Sequence, residues 1–159
     1  MSLTINREFA LADLELFATE ILKLFPKGAI VGLSGELGSG KTTLVRTIIK
    51  LINTKSRAQL ERVISPSYVL HQSYENIHPP VHHFDLYRLE QVDEAMLVEL
   101  EYYESVAKMK EKHGFVFVEW PEMCPKKAIL ELDCNITIQI VGNTRKYLLE
   151  MFRPINSIK

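Results

Sequence analysis

The 159-residue sequence predicts an α/β fold, a three-layer sandwich around a mixed central sheet. Three observations carry this prediction. Two short apolar runs, 29–33 and 115–118, are bounded by turn formers or charge, as strands buried on both faces are. Segments with apolar residues at helical spacing alternate with such runs. Near the C-terminus two β-like runs flank Gly142-Asn143, a hairpin signal, and a hairpin makes the sheet mixed.

Residues 3–5 are short and β-like, and 10–25 predict a helix. Its Leu14, Phe17, Ala18, Ile21, Leu22 and Phe25 form one stripe, and Pro26 and Gly28 end it. After the 29–33 strand, a glycine-rich turn leads to a second helix over 42–52, with Leu44, Val45, Ile48, Ile49 and Ile52 on one face. Residues 53–62 are polar and read as a loop. Strands are expected over 68–74 and 81–87, separated by the turn formers Asn76, Pro79 and Pro80. Residues 93–112 predict one helix with Met96, Leu100, Tyr103 and Ala107 on one side. The hairpin strands are expected over 136–141 and 147–152. No internal repeat or linker is visible, so 1–159 is expected to form a single domain.

Composition excludes several classes. Hydrophobic residues at 47% and charged residues at 25% are globular averages and argue against disorder, collagen and coiled coil. Lys plus Arg is 19 against 20 Asp plus Glu, so independent DNA binding through a broad basic face is not expected. No apolar run reaches 18 residues, which predicts no membrane helix, and Glu8, Asp13 and Glu15 do not suit a secretory signal. Cys124 and Cys134 read as free thiols in a cytoplasmic protein.

The chemistry is concentrated in Gly35-Glu36-Leu37-Gly38-Ser39-Gly40-Lys41-Thr42, which fits G-x-x-x-x-G-K-[ST], the P-loop. It follows a buried-strand candidate and opens a helix, so the predicted sandwich is of the P-loop NTPase type. Gly35, Gly38 and Gly40 let the backbone curl until successive N–H groups point inward at a phosphate. The helix N-terminus adds its positive end. Lys41 reaches the β- and γ-phosphates, and Thr42 offers a hydroxyl to Mg²⁺. Thr43, a second hydroxyl on that turn, either touches the α-phosphate or caps the helix. A Mg²⁺ site also needs a carboxylate at the end of a neighbouring apolar strand. Glu119, the first charge after Phe115-Val116-Phe117-Val118, answers that need.

In His83-Phe84-Asp85-Leu86-Tyr87-Arg88, strand alternation places His83, Asp85 and Tyr87 on one face. Asp85 can orient a water, hold Mg²⁺ through water, or accept a hydrogen bond from His83. The five histidines show no recognised zinc-ligand spacing. Trp120, the single tryptophan, reads as a core or edge aromatic or as a ligand or partner contact. Ser65-Pro66-Ser67-Tyr68 reads as an ordinary turn or as a switch ordered by a γ-phosphate. Residues 90–104 hold six acidic side chains, a solvated face or a dock for a basic partner.

Together GELGSGKTT at 35–43, SPSY at 65–68, HFDLYRL at 83–89 and VEWPE at 118–122 resemble the TsaE (YjeE) ATPases. The resemblance implies a small cytoplasmic ATPase of tRNA threonylcarbamoyladenosine biosynthesis that works with TsaB and TsaD and meets tRNA only through that complex. It implies ATP and Mg²⁺ as cofactors, held by residues 35–43, Thr42 and Glu119, with Asp85 and Glu119 as catalytic carboxylates. Ser65, Ser67, His83, Tyr87 and Trp120 become switch or interface candidates. The family commonly breaks the chain with glycine after the HFDLYRL segment, but residues 98–103 contain none, so the helix is expected to run on. The absence of N-K-x-D argues against guanine specificity. The alternative classes are a small-molecule kinase and a nucleotide-binding module that never hydrolyses.

Overall fold

A computed structural model describes residues 4–56, 70–89 and 92–154, without the side chains of residues 55 and 56. The strands are β1 (Thr4–Ala10), β2 (Ile30–Ser34), β3 (His71–Tyr74), β4 (Val81–Asp85), β5 (Phe115–Glu119), β6 (Cys134–Val141) and β7 (Thr144–Met151). The helices are α1 (Leu14–Leu24), α2 (Lys41–Ser56), α3 (Glu94–Glu99), α4 (Tyr102–Lys112) and α5 (Lys126–Ile129). All seven strands form one sheet in the order β1-β7-β6-β2-β5-β4-β3. The pairs β2–β5, β2–β6 and β4–β5 are parallel, and β1–β7, β6–β7 and β3–β4 are antiparallel, so the sheet is mixed as expected.

Alternation along the central strands builds the layers. Val31 and Leu33 of β2 and Phe115 and Phe117 of β5 join α1 and α2 in one core. Ile30, Val116 and Val118 point the other way, into a second core with Leu97, Tyr102, Val106, Met109 and Ala128 from α3, α4 and α5. The result is the predicted three-layer sandwich. Among the described residues no helix is long and apolar enough to cross a membrane.

Several elements differ from expectation. β1 extends to Ala10 and pairs along its whole length with β7, from Thr4↔Glu150 to Ala10↔Thr144. Most of its residues are exposed, so its sequence carries little β alternation. A 3-10 turn over Leu11–Asp13 delays α1 to Leu14. α2 continues through the polar 53–56 to Ser56, with Thr54 Oγ1 donating back to the Lys50 carbonyl at 2.9 Å. β3 begins at His71, and the expected residues 68 and 69 lie outside the described residues. β4 ends at Asp85, so Tyr87 sits in the following turn instead of on the strand.

The helix expected over 93–112 breaks at Glu101, which takes a left-handed conformation (φ 56°, ψ 32°) without the help of glycine. Packing explains the break. In an unbroken helix Tyr102 would lie about 140° around the axis from Leu97. Resetting the phase lets Leu97 of α3 and Tyr102, Val106 and Met109 of α4 enter the same core. Ala107, expected on the buried side, is exposed.

Candidate functional site

The predicted phosphate loop joins the end of β2 to the start of α2 at the centre of the sheet. Gly35, Gly38 and Gly40 all have positive φ, 141°, 78° and 107°. Only at Gly35 is a side chain barred by crowding as well, since a Cβ there would lie 2.4 Å from the Ile138 carbonyl oxygen. Glu36 and Leu37 form the exposed tip, with Leu37 at 66% exposure. Ser39 is buried, and its Oγ has no hydrogen-bond partner among the described residues. Thr43 is the third residue of α2, inside the helix, so of its two expected roles capping is excluded.

Lys41 is the first residue of α2 and is buried. Its Nζ donates to the carbonyls of Gly35 at 2.7 Å and Glu36 at 2.9 Å, and lies 4.1 Å from the Trp120 ring centroid. Burial pulls this ammonium below its ordinary pKa, while the charges of Glu119, Glu122 and Asp85 pull it back.

Glu119 and Asp85 end the adjacent parallel strands β5 and β4 and stand opposite each other in register. The Glu119 carboxylate is nearly inaccessible and its two oxygens have different partners. Thr42 Oγ1 donates to Oε2 at 3.0 Å, and His83 Nε2 lies 2.8 Å from Oε1. Asp85 accepts from the Tyr87 N–H at 3.1 Å. Burial and the neighbouring Glu119 charge raise the Asp85 pKa, opposed by the Tyr87 N–H and the charges of His83 and Lys41.

These groups wall a cleft of about 330 Å³ lined by the loop, Leu70, Asp85, Tyr87, Arg88, Glu119 and Trp120. Trp120 has a left-handed backbone (φ 62°), and its ring meets that of Tyr87 at 5.1 Å between centroids. Lys41, Thr42, Thr43, Asp85, Glu119, Tyr87 and Trp120 therefore converge, as the motifs predict. Two expectations are corrected. His83 bonds to Glu119 and not to Asp85, and at 1% exposure it is no interface residue. Ser65 and Ser67 lie outside the described residues.

Sequence reasoning missed Arg145 on β7. Its Nε donates to the Ser39 carbonyl at 3.1 Å, bracing the phosphate loop from the C-terminal hairpin. No local motif marks it. Part of the acidic 90–104 segment has structural work: Asp93 caps α3 by accepting from the Met96 N–H at 2.8 Å, and Glu94 accepts from the Tyr103 hydroxyl at 2.6 Å.

The donor set suits a Mg²⁺–nucleotide. Positive φ at three glycines is the kind of backbone that can turn successive N–H groups toward an anion. A hydroxyl and a carboxylate 3.0 Å apart beside it are the hard oxygen donors Mg²⁺ prefers. Among the described residues no group of three or more His, Cys, Asp or Glu is arranged to hold a metal ion by itself. A cation here would accordingly draw most of its ligands from phosphate and water.

Comparison with known proteins agrees with this architecture. A solved chain described as "Crystal structure of Bacillus subtilus YdiB" superposes with a TM-score of 0.61 at 19% identity, covering 96% of this chain and 88% of that one, which establishes likeness of fold. Two relatives carry the name "tRNA threonylcarbamoyladenosine biosynthesis protein TsaE". The Nostoc protein is 37% identical over 69% of this chain and 63% of its own length. The Synechocystis protein is 30% identical over 76% of this chain and 74% of its own. The family profile described as "Threonylcarbamoyl adenosine biosynthesis protein TsaE" matches residues 10–147. The chain belongs to the TsaE family of threonylcarbamoyl adenosine biosynthesis proteins.

Proposed function

We propose that this chain is the ATPase subunit of tRNA threonylcarbamoyladenosine modification. It binds and hydrolyses ATP–Mg²⁺ to drive or reset a transferase complex of TsaB and TsaD type proteins, and it meets tRNA through that complex. The observation that carries the reading is the meeting of Lys41, Thr42, Glu119 and Asp85 beside one glycine-rich loop. Loop amides and Lys41 take the phosphates, Lys41 exchanging its two loop carbonyls for phosphate oxygens. Thr42 and Glu119 serve the cation, which when bound neutralises charge on the phosphate oxygens. Asp85, with its raised pKa, accepts a proton from the attacking water or orients it. Trp120 and Tyr87 wall the cleft and limit access of bulk water. In this reading the modification chemistry itself belongs to the partners.

The test is release of ADP and phosphate by the purified chain, alone and with TsaB and TsaD type proteins, with and without tRNA. Partner-stimulated hydrolysis that falls at least tenfold in both Asp85→Ala and Glu119→Ala is expected. Full partner-dependent turnover in both variants overturns the catalytic assignment. Stoichiometric phosphate transfer to a small acceptor makes the protein a kinase instead.

A further inference from the structure

We infer that His83 is a positioning residue whose imidazole holds Glu119 in the orientation that serves the cation. The inference rests on the nucleotide–Mg²⁺ reading of the cleft and assigns a role that reading does not contain.

His83 and Glu119 come from neighbouring parallel strands, and their side chains are only 1% and 3% exposed. An ionised carboxylate can only accept, so in a bond to it Nε2 carries the proton. The two oxygens of Glu119 are thus divided: Oε1 belongs to His83, Oε2 to Thr42. Thr42 is also the hydroxyl that the cation requires. A hydroxyl has one proton and two lone pairs, so Thr42 can keep donating to Oε2 while a lone pair serves the cation. A glutamate has three rotatable side-chain bonds, and held at Oε2 alone the carboxylate would turn about that one bond unless Oε1 were tethered as well. His83 is that tether. It is buried and does not line the cleft. Second partners of this kind orient metal-serving groups widely, and their loss typically costs about 10- to 100-fold in metal affinity.

The geometry predicts which replacement works. The amide nitrogen of glutamine occupies about the place of histidine Nε2, whereas that of asparagine matches Nδ1 and falls short of Glu119. Binding of a fluorescent ATP analogue to the full chain should therefore be titrated with Mg²⁺ and, separately, measured in EDTA. His83→Asn is expected to need about 10- to 100-fold more Mg²⁺ for half-maximal enhancement, with affinity in EDTA unchanged. His83→Gln is expected to stay within about threefold of the unsubstituted chain, a rescue that general loss of packing would not give. The inference is overturned if His83→Asn keeps the normal Mg²⁺ response, if His83→Gln is impaired like His83→Asn, or if affinity in EDTA falls in parallel. An unsubstituted chain whose nucleotide affinity ignores Mg²⁺ overturns the site reading itself, and this inference with it.

Discussion

The glycines of the phosphate loop make a sharp pair of predictions, because the same substitution meets different obstacles at two of them. At Gly38 (φ +78°) an added Cβ finds nothing within 4 Å. Gly38→Ala then costs only the left-handed backbone, about 1–2 kcal/mol. At Gly35 (φ +141°) the Cβ would lie 2.4 Å from the Ile138 carbonyl oxygen and 2.9 Å from Ser39 Oγ. The first distance is about 1 Å inside a comfortable C···O contact. It involves backbone in the middle of β6, which cannot swing aside. Overpacking of about 1–3 kcal/mol adds to backbone strain of about 1–3 kcal/mol. The midpoint of that range, about 4 kcal/mol, is a large part of the stability of an ordinary domain. With a urea dependence of about 2 kcal/mol per M, the unfolding midpoint should fall by about 2 M for Gly35→Ala and by at most about 1 M for Gly38→Ala. Equal losses in the two variants would refute the claim that Gly35 is fixed by β6 and Gly38 by backbone conformation alone.

Two further outcomes follow from groups around the site. A planar peptide carries the Ser39 carbonyl and the Gly40 N–H in opposite directions, so Arg145, by holding the carbonyl at 3.1 Å, aims that N–H. Arg145→Ala should weaken nucleotide binding in EDTA by about tenfold, near 1.5 kcal/mol for one charge-assisted bond, and unchanged affinity in a titration would refute it. His71 stacks on Phe84 at 4.1 Å between ring centroids, with Nε2 2.9 Å from His82 Nδ1. Burial first, then the charges of His82 and His83, push its pKa from 6.5 down to about 4. As pH falls from 6.5 towards 4 the unfolded chain takes up a proton that the folded chain refuses, so stability falls across that window. After discounting for solvent around this half-buried ring, the loss is roughly 1–2 kcal/mol. His71→Phe should flatten the stability–pH curve between 6.5 and 4 in urea unfolding, and an unchanged slope would refute the assignment.

What was legible in the sequence depended on how local its cause was. The loop could be read because its glycines, Lys41 and Thr42 are consecutive, and because a buried strand and an apolar helix flank them. Glu119 could be read as the charge ending an apolar strand, and Asp85 as one of three polar groups alternating along another. Their mutual pairing could not, since parallel neighbours are distant in sequence. The same reason misdirected His83. Phe117 stands directly across from His83 and Glu119 is its diagonal neighbour, so the longer glutamate side chain reaches back to the ring while the Asp85 carboxylate accepts from the Tyr87 N–H. Arg145 was invisible because its place depends on β7 lying beyond β6 from β2. The break at Glu101 carries neither glycine nor proline; core packing overrides the cost of a left-handed residue there.

The pairing of Asp85 with Glu119 across β4 and β5 has a consequence for how this protein can change. The two strands are pinned from their first residues, where the Phe115 N–H donates to the Pro80 carbonyl at 2.8 Å. Sheet hydrogen bonds then act as a ruler that sets the carboxylate spacing, independent of the chain that leads into either strand. Residues added within 75–79 or 111–113 enter outside the ruled interval and leave the spacing intact. A single residue added within 81–85 or 115–119 turns one carboxylate to the opposite face of the sheet. Chain length is therefore free to drift around this site and barred from drifting inside it, a pattern that insertion scanning can read directly.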